Sequence, residues 1–277
     1  MTAHRLRLHR GMPALCACAL LLLFSIAAGA AAVQPQRTHH ENPDVLWHFV
    51  HDRCAPKATR GVYPPTPCVE VDHASDPARG YVVFKDRDGR YQYLVLPLAR
   101  TRGIESPRLL TADAPDYFAD AWTARMYVEA ALHRRVPRDV IGLVVNSAHG
   151  RTQDQLHIHV DCIRPDVHAA LQRDMPDIGD HWHALPDRLP SVHGHRYMAR
   201  WLAGANLSAN PFRLLAAALP PGDRMGMHSL AVIGAYDSHG RPGFILLSTR
   251  VDAATGNDGN SDALHDRTCA LARTPGD

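Results

Sequence analysis

The sequence predicts an α+β fold in which an antiparallel sheet carries a helix on one face. Three patterns support this: a hairpin signal over residues 80–97, a helical pattern that begins near residue 115, and two further strands between residues 140 and 161. Strands joined by short turns pair antiparallel, and a long helix between two hairpins buries its apolar side on their sheet. The 277 residues can form one large domain or two small ones.

The N-terminal 33 residues have the pattern of an export segment. Arg5, Arg7 and Arg10 precede an uncharged run of 23 residues, 11–33, and about 20 apolar residues suffice to cross a bilayer. Basic residues before such a run favour transfer of the following chain across the membrane. We expect residues 1–33 to be a signal anchor, with a cleaved signal peptide as the alternative since Ala28-Gly29-Ala30 resembles a cleavage site. A polar linker follows at 34–43.

The rest of the chain is close to neutral. Three of the 30 basic residues lie in the export segment, which leaves 27 basic residues against 28 acidic ones. A body without excess positive charge gives no electrostatic reason to expect nucleic-acid binding.

Four cysteines follow the apolar run, an even number that suits an oxidising compartment. They are Cys54, Cys68, Cys162 and Cys269, and three pairings are possible. Pairing Cys54 with Cys68 would close a local proline-rich loop, and Cys162 with Cys269 would then tie the C-terminal end to the central strand. Four free thiols are the remaining alternative. The chain has no CxxC pair, which argues against a zinc-thiolate site.

The elements follow in order along the chain. Residues 44–54 suit a short amphipathic helix, with Val45, Leu46, Phe49 and Val50 on one side. Strands 80–85 and 91–97 flank a turn containing Asp88-Gly89, a good hairpin signal. The long helix should start near Pro115 with Asp113 as its cap, and it should end before Pro137. Its expected apolar stripe consists of Phe118, Trp122, Met126 and Leu132.

A C-terminal extension begins at about residue 167. Residues 182–202 contain prolines and several histidines and predict irregular structure. A short helix should begin at Pro211 with Asn210 as its cap, and a last hairpin should pair 229–235 with 244–249. Residues 252–262 predict a loop by composition.

The strand predicted at 153–161 carries the most chemical information. Its alternation sends His157 and His159 to one face and Leu156, Ile158 and Val160 to the other. A rigidly held imidazole can act as a nucleophile, a general base or a metal ligand near neutral pH. Asn146 and Gln153, which precede the histidines, are donors suited to phosphate oxygens.

These residues resemble a known family. The run from Val144-Val145-Asn146 through Gln153 to His157-Ile158-His159-Val160 is similar to the signature of the histidine-triad superfamily. A closer resemblance, to the membrane-bound CDP-diacylglycerol pyrophosphatases, covers nearly the whole chain. Its motifs are Gly80-Tyr81-Val82-Val83-Phe84-Lys85-Asp86, Glu105-Ser106-Pro107, Gln155-Leu156-His157-Ile158-His159, Cys162-Ile163-Arg164-Pro165-Asp166 and Pro211-Phe212-Arg213-Leu214-Leu215.

The resemblance implies a histidine-triad-like catalytic domain over residues 44–277 and a histidine nucleophile. A register without gaps makes His157 the first histidine, His159 the nucleophile and Asp161 the replacement of the third; it keeps the loop length and is preferred. A register shifted by two makes Gln155 the first position and His157 the nucleophile. The implied substrate contacts are Asn146, Gln153, Gln155, Asp161 and Lys85.

The implied activity is hydrolysis of CDP-diacylglycerol to CMP and phosphatidate through a cytidylyl-histidine. No metal or cofactor is expected. The enzyme would be anchored in the cell inner membrane by its N-terminal segment, face the periplasm and act on a lipid nucleotide held in the bilayer. The rivals are a pyrophosphatase or nucleotidyl transferase for CDP-alcohols or dinucleotides, and a non-enzymatic protein that binds metal through His157, His159 and Asp161.

Overall fold

A computed structural model describes residues 42–190 and 194–273. The expected signal anchor and residues 34–41 of the expected linker lie outside these ranges. Within them, no helix combines the length and the apolar content that a bilayer-spanning segment needs.

Nine strands form one antiparallel sheet, which agrees with the predicted class. The strands are β1 Cys68–Asp72, β2 Tyr81–Lys85, β3 Tyr93–Pro97, β4 Ile141–Val145, β5 Ile158–Cys162, β6 His183–Leu189, β7 His195–Ala203, β8 His228–Tyr236 and β9 Pro242–Arg250. Their order across the sheet is β1-β2-β3-β5-β4-β8-β9-β7-β6. The extension therefore continues the sheet of the first half, because β8 pairs with β4. Both predicted hairpins, β2–β3 and β8–β9, are confirmed.

The long helix α3, Tyr117–Leu132, covers one face of the sheet. It starts two residues later than predicted, and its cap is Asp116 rather than Asp113, because the Asp116 carboxylate accepts a hydrogen bond from the Ala119 N–H at 3.2 Å. The predicted stripe is wrong at Met126, which is 56% exposed. Val128 is buried on α3 instead, beside the expected Phe118, Trp122 and Leu132.

Helix α5, Pro211–Ala216, closes the same core. Asn210 caps it as predicted, since its Oδ1 accepts from the Phe212 N–H at 3.0 Å. The ring of Phe212 packs against Phe118 with centroids 4.8 Å apart. Aromatic contacts of this kind add specific geometry to apolar burial and fix α5 on α3.

The opposite face carries two separate apolar clusters. At one end, α1 Val45–His48 continues through a π-helical segment, Phe49–Cys54, into α2 Ala55–Thr59. This confirms and lengthens the predicted helix, and Leu46 and Val50 pack on Leu94 and Leu96 of β3. At the other end, α4 Pro165–Asp174 covers the extension strands. The strand β5 lies between the two clusters.

The extension is more regular than predicted at 182–202. These residues largely form the antiparallel pair β6–β7 at the edge of the sheet. Pro186 falls where the register of β6 shifts between Ala184 and Arg188. An edge strand tolerates proline at a bulge, because the residue at that position does not need a backbone N–H to pair with a neighbouring strand.

Two disulfides are present, Cys54–Cys68 and Cys162–Cys269. They are the local pairing and the long-range pairing considered from the sequence. The second links the last residue of β5 to the C-terminal segment, which brings residues 252–273 next to the histidine strand.

Candidate active site

The polar side chains of β5 point away from the α3 core. Ile158 and Val160 are buried in that core, so His159 and Asp161 lie on the opposite face. His157 immediately precedes the strand, and its ring centroid lies 4.9 Å from that of His159. The two imidazoles are neighbours as predicted, although the strand starts at Ile158 rather than at residue 153. The segment before it instead forms hydrogen bonds with other loops.

The loop between β4 and β5 is held by a buried guanidinium. Arg151 donates two hydrogen bonds to the Glu105 carboxylate, at 2.8 and 2.7 Å, and a third to Asp154 at 3.1 Å. Further along, the Leu156 N–H donates to the Thr101 carbonyl at 2.6 Å. A charge-assisted bidentate ion pair fixes both the distance and the orientation of its two partners. The loop that leads into His157 is therefore held rigidly.

His157 has one ring nitrogen committed to the backbone. Its Nδ1 lies 2.7 Å from the Gln155 carbonyl oxygen. Because a carbonyl can only accept, Nδ1 carries the proton and Nε2 keeps its lone pair. Burial and the neighbouring His159 lower the pKa of His157 to about 4. The ring is therefore neutral at pH 7, with a nucleophilic nitrogen that makes no hydrogen bond to the described residues.

His159 is held differently. Both of its ring nitrogens are buried without a hydrogen-bond partner among the described residues. The nearest charge is Asp262, whose Oδ1 lies 3.5 Å from Nδ1 of His159. Burial lowers the pKa of His159, although the Asp262 carboxylate acts in the opposite direction. Buried imidazole nitrogens that lack partners are costly, which points to a ligand group that completes them.

Asn146 and Gln153 both precede the histidines, and each uses its side-chain oxygen to hold a neighbouring segment. Oδ1 of Asn146 accepts from the backbone N–H groups of Ser261 and Asp262, at 2.9 and 3.2 Å. Oε1 of Gln153 accepts from the Leu46 N–H at 3.1 Å. Both residues line the same cavity as His157 and His159.

The other three predicted contacts lie outside the set of cavity-lining residues. Gln155 is fully buried and bonds the backbone of the loop after β3, accepting from the Thr101 N–H and donating to the Pro97 and Ala99 carbonyls. The ammonium of Lys85 donates to the Asp86 and Gly89 carbonyls. Asp161 is fully buried beyond His159, and burial raises its pKa to about 7.

The extension contributes groups that the sequence did not signal. Asp262 accepts hydrogen bonds from Gln92 Nε2 and His265 Nδ1, both at 2.9 Å. Burial alone would raise the pKa of Asp262, but the charges of His159 and His265 and these hydrogen bonds hold it far below its usual range. The composition of residues 252–262 predicted only a loop, and nothing local distinguishes Asp262 from the other acidic residues there.

The cavity has a volume of about 610 Å³ and two unlike walls. The polar wall includes the histidines, Asn146, Gln153, Asp262 and Arg267. The apolar wall comes from the first helical segment and from strands β2 and β3, and consists of Val45, Leu46, Phe49, Phe84 and Leu94. Volumes of roughly 300–1,000 Å³ are typical of small-molecule sites. The same cavity thus presents both polar groups and an apolar surface to a ligand.

A metal site at the histidines receives no support from the ligand geometry. In residues 42–190 and 194–273, one group of three residues brings potential ligand atoms within 4.8 Å, namely Asp161, Cys162 and Cys269. The two cysteines are joined in a disulfide and offer no thiolate. The trio proposed for the metal-binding rival, His157, His159 and Asp161, is not that group.

Comparison with known proteins identifies the family of the chain. Residues 41–273 match the family model for CDP-diacylglycerol pyrophosphatase. The chain is also 38% identical, over 254 residues, to a protein of Yersinia pestis named CDP-diacylglycerol pyrophosphatase. That alignment covers 91% of this chain and 92% of the Yersinia protein.

Proposed function

The chain belongs to the CDP-diacylglycerol pyrophosphatase family and hydrolyses the pyrophosphate bond of CDP-diacylglycerol, and we propose that His157 and His159 perform this reaction through a covalent nucleotidyl-histidine. The observation that carries the proposal is the pair of adjacent imidazoles in one cavity, one with a fixed tautomer and one with unpartnered nitrogens. The products are CMP and phosphatidate.

His157 is the proposed nucleophile. Its Nε2 lone pair forms a bond to the phosphorus of the CMP moiety, the bridging P–O bond breaks, and phosphatidate leaves with the bonding electrons. The proton on Nδ1 stays in its hydrogen bond to the Gln155 carbonyl, 2.7 Å away. This choice reverses the register preferred from the sequence, because the Gln155 carbonyl fixes the proton of His157 on Nδ1 and leaves its Nε2 lone pair free, whereas neither nitrogen of His159 has a hydrogen-bond partner among the described residues.

His159 is the proposed proton-transfer group of the second step. Water forms a bond to the phosphorus, the P–N bond breaks, and the proton of the water passes to Nε2 of His159 as CMP is released. Asn146 and Gln153, which line the cavity, supply donors to phosphate or ribose. Gln155 and Lys85 support the surrounding loops through their backbone contacts.

The covalent mechanism is tested by trapping. The enzyme is mixed with CDP-diacylglycerol radiolabelled in the cytidine, quenched in alkali, digested and analysed by mass spectrometry. We expect CMP attached to His157. Modification of His159 would restore the register without gaps, and absence of any adduct through single turnovers would rule out the covalent route.

The lipid specificity is tested by a soluble competitor. The ratio of kcat/KM for CDP-diacylglycerol to that for CDP-choline should exceed roughly tenfold, since an apolar wall of five side chains adds binding energy only with the lipid. Equal values would favour the broader CDP-alcohol pyrophosphatase.

We also propose that the enzyme is anchored in the cell inner membrane with its catalytic domain in the periplasm. The basic residues and apolar run of the first 33 residues support this, as do two disulfides, which persist in oxidising compartments. External protease should digest the domain in spheroplasts but not in intact cells. Protection in spheroplasts would contradict the orientation.

A further inference from the structure

A carboxylate from the extension lies between two imidazoles at the edge of the cavity. Oδ1 of Asp262 is 2.9 Å from Nδ1 of His265 and 3.5 Å from Nδ1 of His159. The proposed reaction uses His159 but assigns no task to Asp262 or His265. These two residues are buried or nearly so, and burying a carboxylate requires a compensating partner.

His265 is doubly protonated by its contacts. Its Nε2 lies 3.1 Å from the Gly142 carbonyl oxygen, and its Nδ1 faces the Asp262 carboxylate. Both of these oxygen partners only accept, and Nε2 of Gln92 lies further from Nδ1, at 3.5 Å, so both nitrogens donate and the ring is a cation. In agreement, burial would lower the pKa of His265, but the hydrogen bond and charge of Asp262 outweigh burial and raise it. A cation behind Asp262 keeps this carboxylate ionised and fixed in orientation.

The fold makes room for this third imidazole. A Cβ atom at Gly142 would lie 3.1 Å from Nε2 of His265 and 2.6 Å from Cγ2 of Ile163. Gly142 pairs with Asp161 across the β4–β5 ladder, so His265 sits beside the strand position where the third histidine was expected. An imidazole therefore does lie near the position on β5 where the third histidine was expected, but it belongs to His265 in the extension.

We propose that Asp262, held by His265, is the positioning carboxylate of His159. The inference rests on the proposed catalytic role of the two strand histidines. Asp262 accepts the Nδ1–H of His159 when substrate closes the 3.5 Å gap, which directs the Nε2 lone pair toward the water that attacks the phosphorus. When Nε2 takes the proton of the water, the carboxylate stabilises the resulting imidazolium and itself stays ionised. The other titratable or charged groups that act on His159 or Asp262 are His157, Asp161 and Arg267, and Arg151 acts on His157.

Asp262→Asn tests the proposal because it keeps the size of the side chain and removes the charge. We expect kcat to fall by about 10²–10⁴-fold with little change in KM. The acid limb of the pH–kcat profile should move to lower pH, because the imidazolium of His159 loses its stabilising partner. His265→Gln should lower kcat in the same direction by a smaller factor, since Asp262 remains. Asp223→Asn is the matched control: it breaks another buried His–Asp pair, with His228 at 3.0 Å, outside the cavity lining.

The outcomes separate this inference from the mechanism beneath it. Unchanged kcat and acid limb in Asp262→Asn, with His157→Ala inactive, would overturn the positioning role and leave the covalent mechanism intact. Activity in His157→Ala and His159→Ala would overturn the mechanism itself. If the Asp262 variant does not fold, ¹⁵N NMR of histidine-labelled wild-type enzyme decides. A substrate-analogue complex should show His159 protonated on Nδ1 and His265 protonated on both nitrogens, and a neutral His265 would refute the proposal.

Discussion

The two segments that meet at the cavity contribute different kinds of group. The loop and strand before Cys162 supply two imidazoles, of which His157 is neutral through burial. The extension supplies charge: Asp262, whose pKa is held far below its usual range, and the cationic His265. The reactive groups therefore come from one part of the chain, and the charges that orient them come from a part about 100 residues further on.

This division depends on the continuous sheet. Because β8 pairs with β4, the extension is packed against the histidine strand, and the segment after β9 can return over β4 and β5. Asn146 joins the two parts, since its Oδ1 accepts from the N–H groups of Ser261 and Asp262. A substitution in either segment should therefore change the reaction in a way that shows whether a reactive imidazole or an orienting charge was lost.

The largest effect is expected on the reactive side. His157→Ala should lower single-turnover CMP release by roughly 10⁴-fold or more, because no other group in the cavity offers a neutral nitrogen with a fixed tautomer. His159→Ala should retain formation of the adduct but slow its hydrolysis by about 10²–10⁴-fold. Quench-flow with radiolabelled substrate measures both steps.

His168→Ala provides the control for these variants. His168 lies on α4, is half-buried and forms a 3.0 Å hydrogen bond with Asp139. Its replacement by alanine should therefore leave CMP release unchanged. A fast adduct in His157→Ala, or an adduct that accumulates in neither variant, would contradict the division of labour between the two histidines.

Local patterns account for what the sequence predicted. The alternation around His157 and His159, the Asp88-Gly89 turn and the Asn210 cap each depend on neighbours within a few residues, and all three are found as expected. Gln155 shows the limit of such patterns. It shares the polar alternation of the histidines, yet backbone groups at Pro97, Ala99 and Thr101 need its amide as their partner.

Long-range contacts account for what the sequence did not predict. Asp262 and His265 acquire their roles from Gln92, Gly142 and His159, which are far away in the chain. The pair β6–β7 was missed for a similar reason, because β9 pairs with β7 and supports strands whose own sequence contains breakers. Tertiary pairing overrides weak local preference at such edges.

The next largest effect concerns the covalent tie between the two segments. Replacing Cys162 and Cys269 by serine should lower the free energy of unfolding by about 2–5 kcal/mol. The matched pair Cys54→Ser with Cys68→Ser should cost about 2 kcal/mol less, because its cysteines are 14 rather than 107 residues apart. Urea titration gives both values. Only the first variant should also lose activity, since it releases the segment that carries His265, and equal loss of activity in both would contradict this.

Two buried carboxylates, one from each segment, have pKa values that are shifted in opposite directions. Burial raises the pKa of Asp161 to about 7, whereas Asp262 stays ionised. The folded state therefore holds the Asp161 proton while the unfolded chain releases it, and this group makes stability fall between about pH 4 and pH 7, by up to about 4 kcal/mol. Asp161→Asn should remove that dependence, so relative to wild type it gains stability at pH 8 compared with pH 4. A constant difference in Tm across this range would contradict it.

The smallest effect separates the two walls of the cavity. Phe49 stacks on Phe84 with centroids 5.3 Å apart and forms part of the apolar wall, away from the reacting groups. Phe49→Ser should lower kcat/KM for CDP-diacylglycerol about tenfold, because a lost apolar contact costs roughly 1–3 kcal/mol, and it should leave kcat/KM for CDP-choline nearly unchanged. Tyr63→Ser, at an exposed aromatic residue outside the cavity lining, controls for altered contact with lipid vesicles. Equal losses of kcat/KM with both substrates would mean that Phe49 supports the histidines rather than contacting the lipid. The apolar wall would then act, like the extension, by positioning the reacting groups.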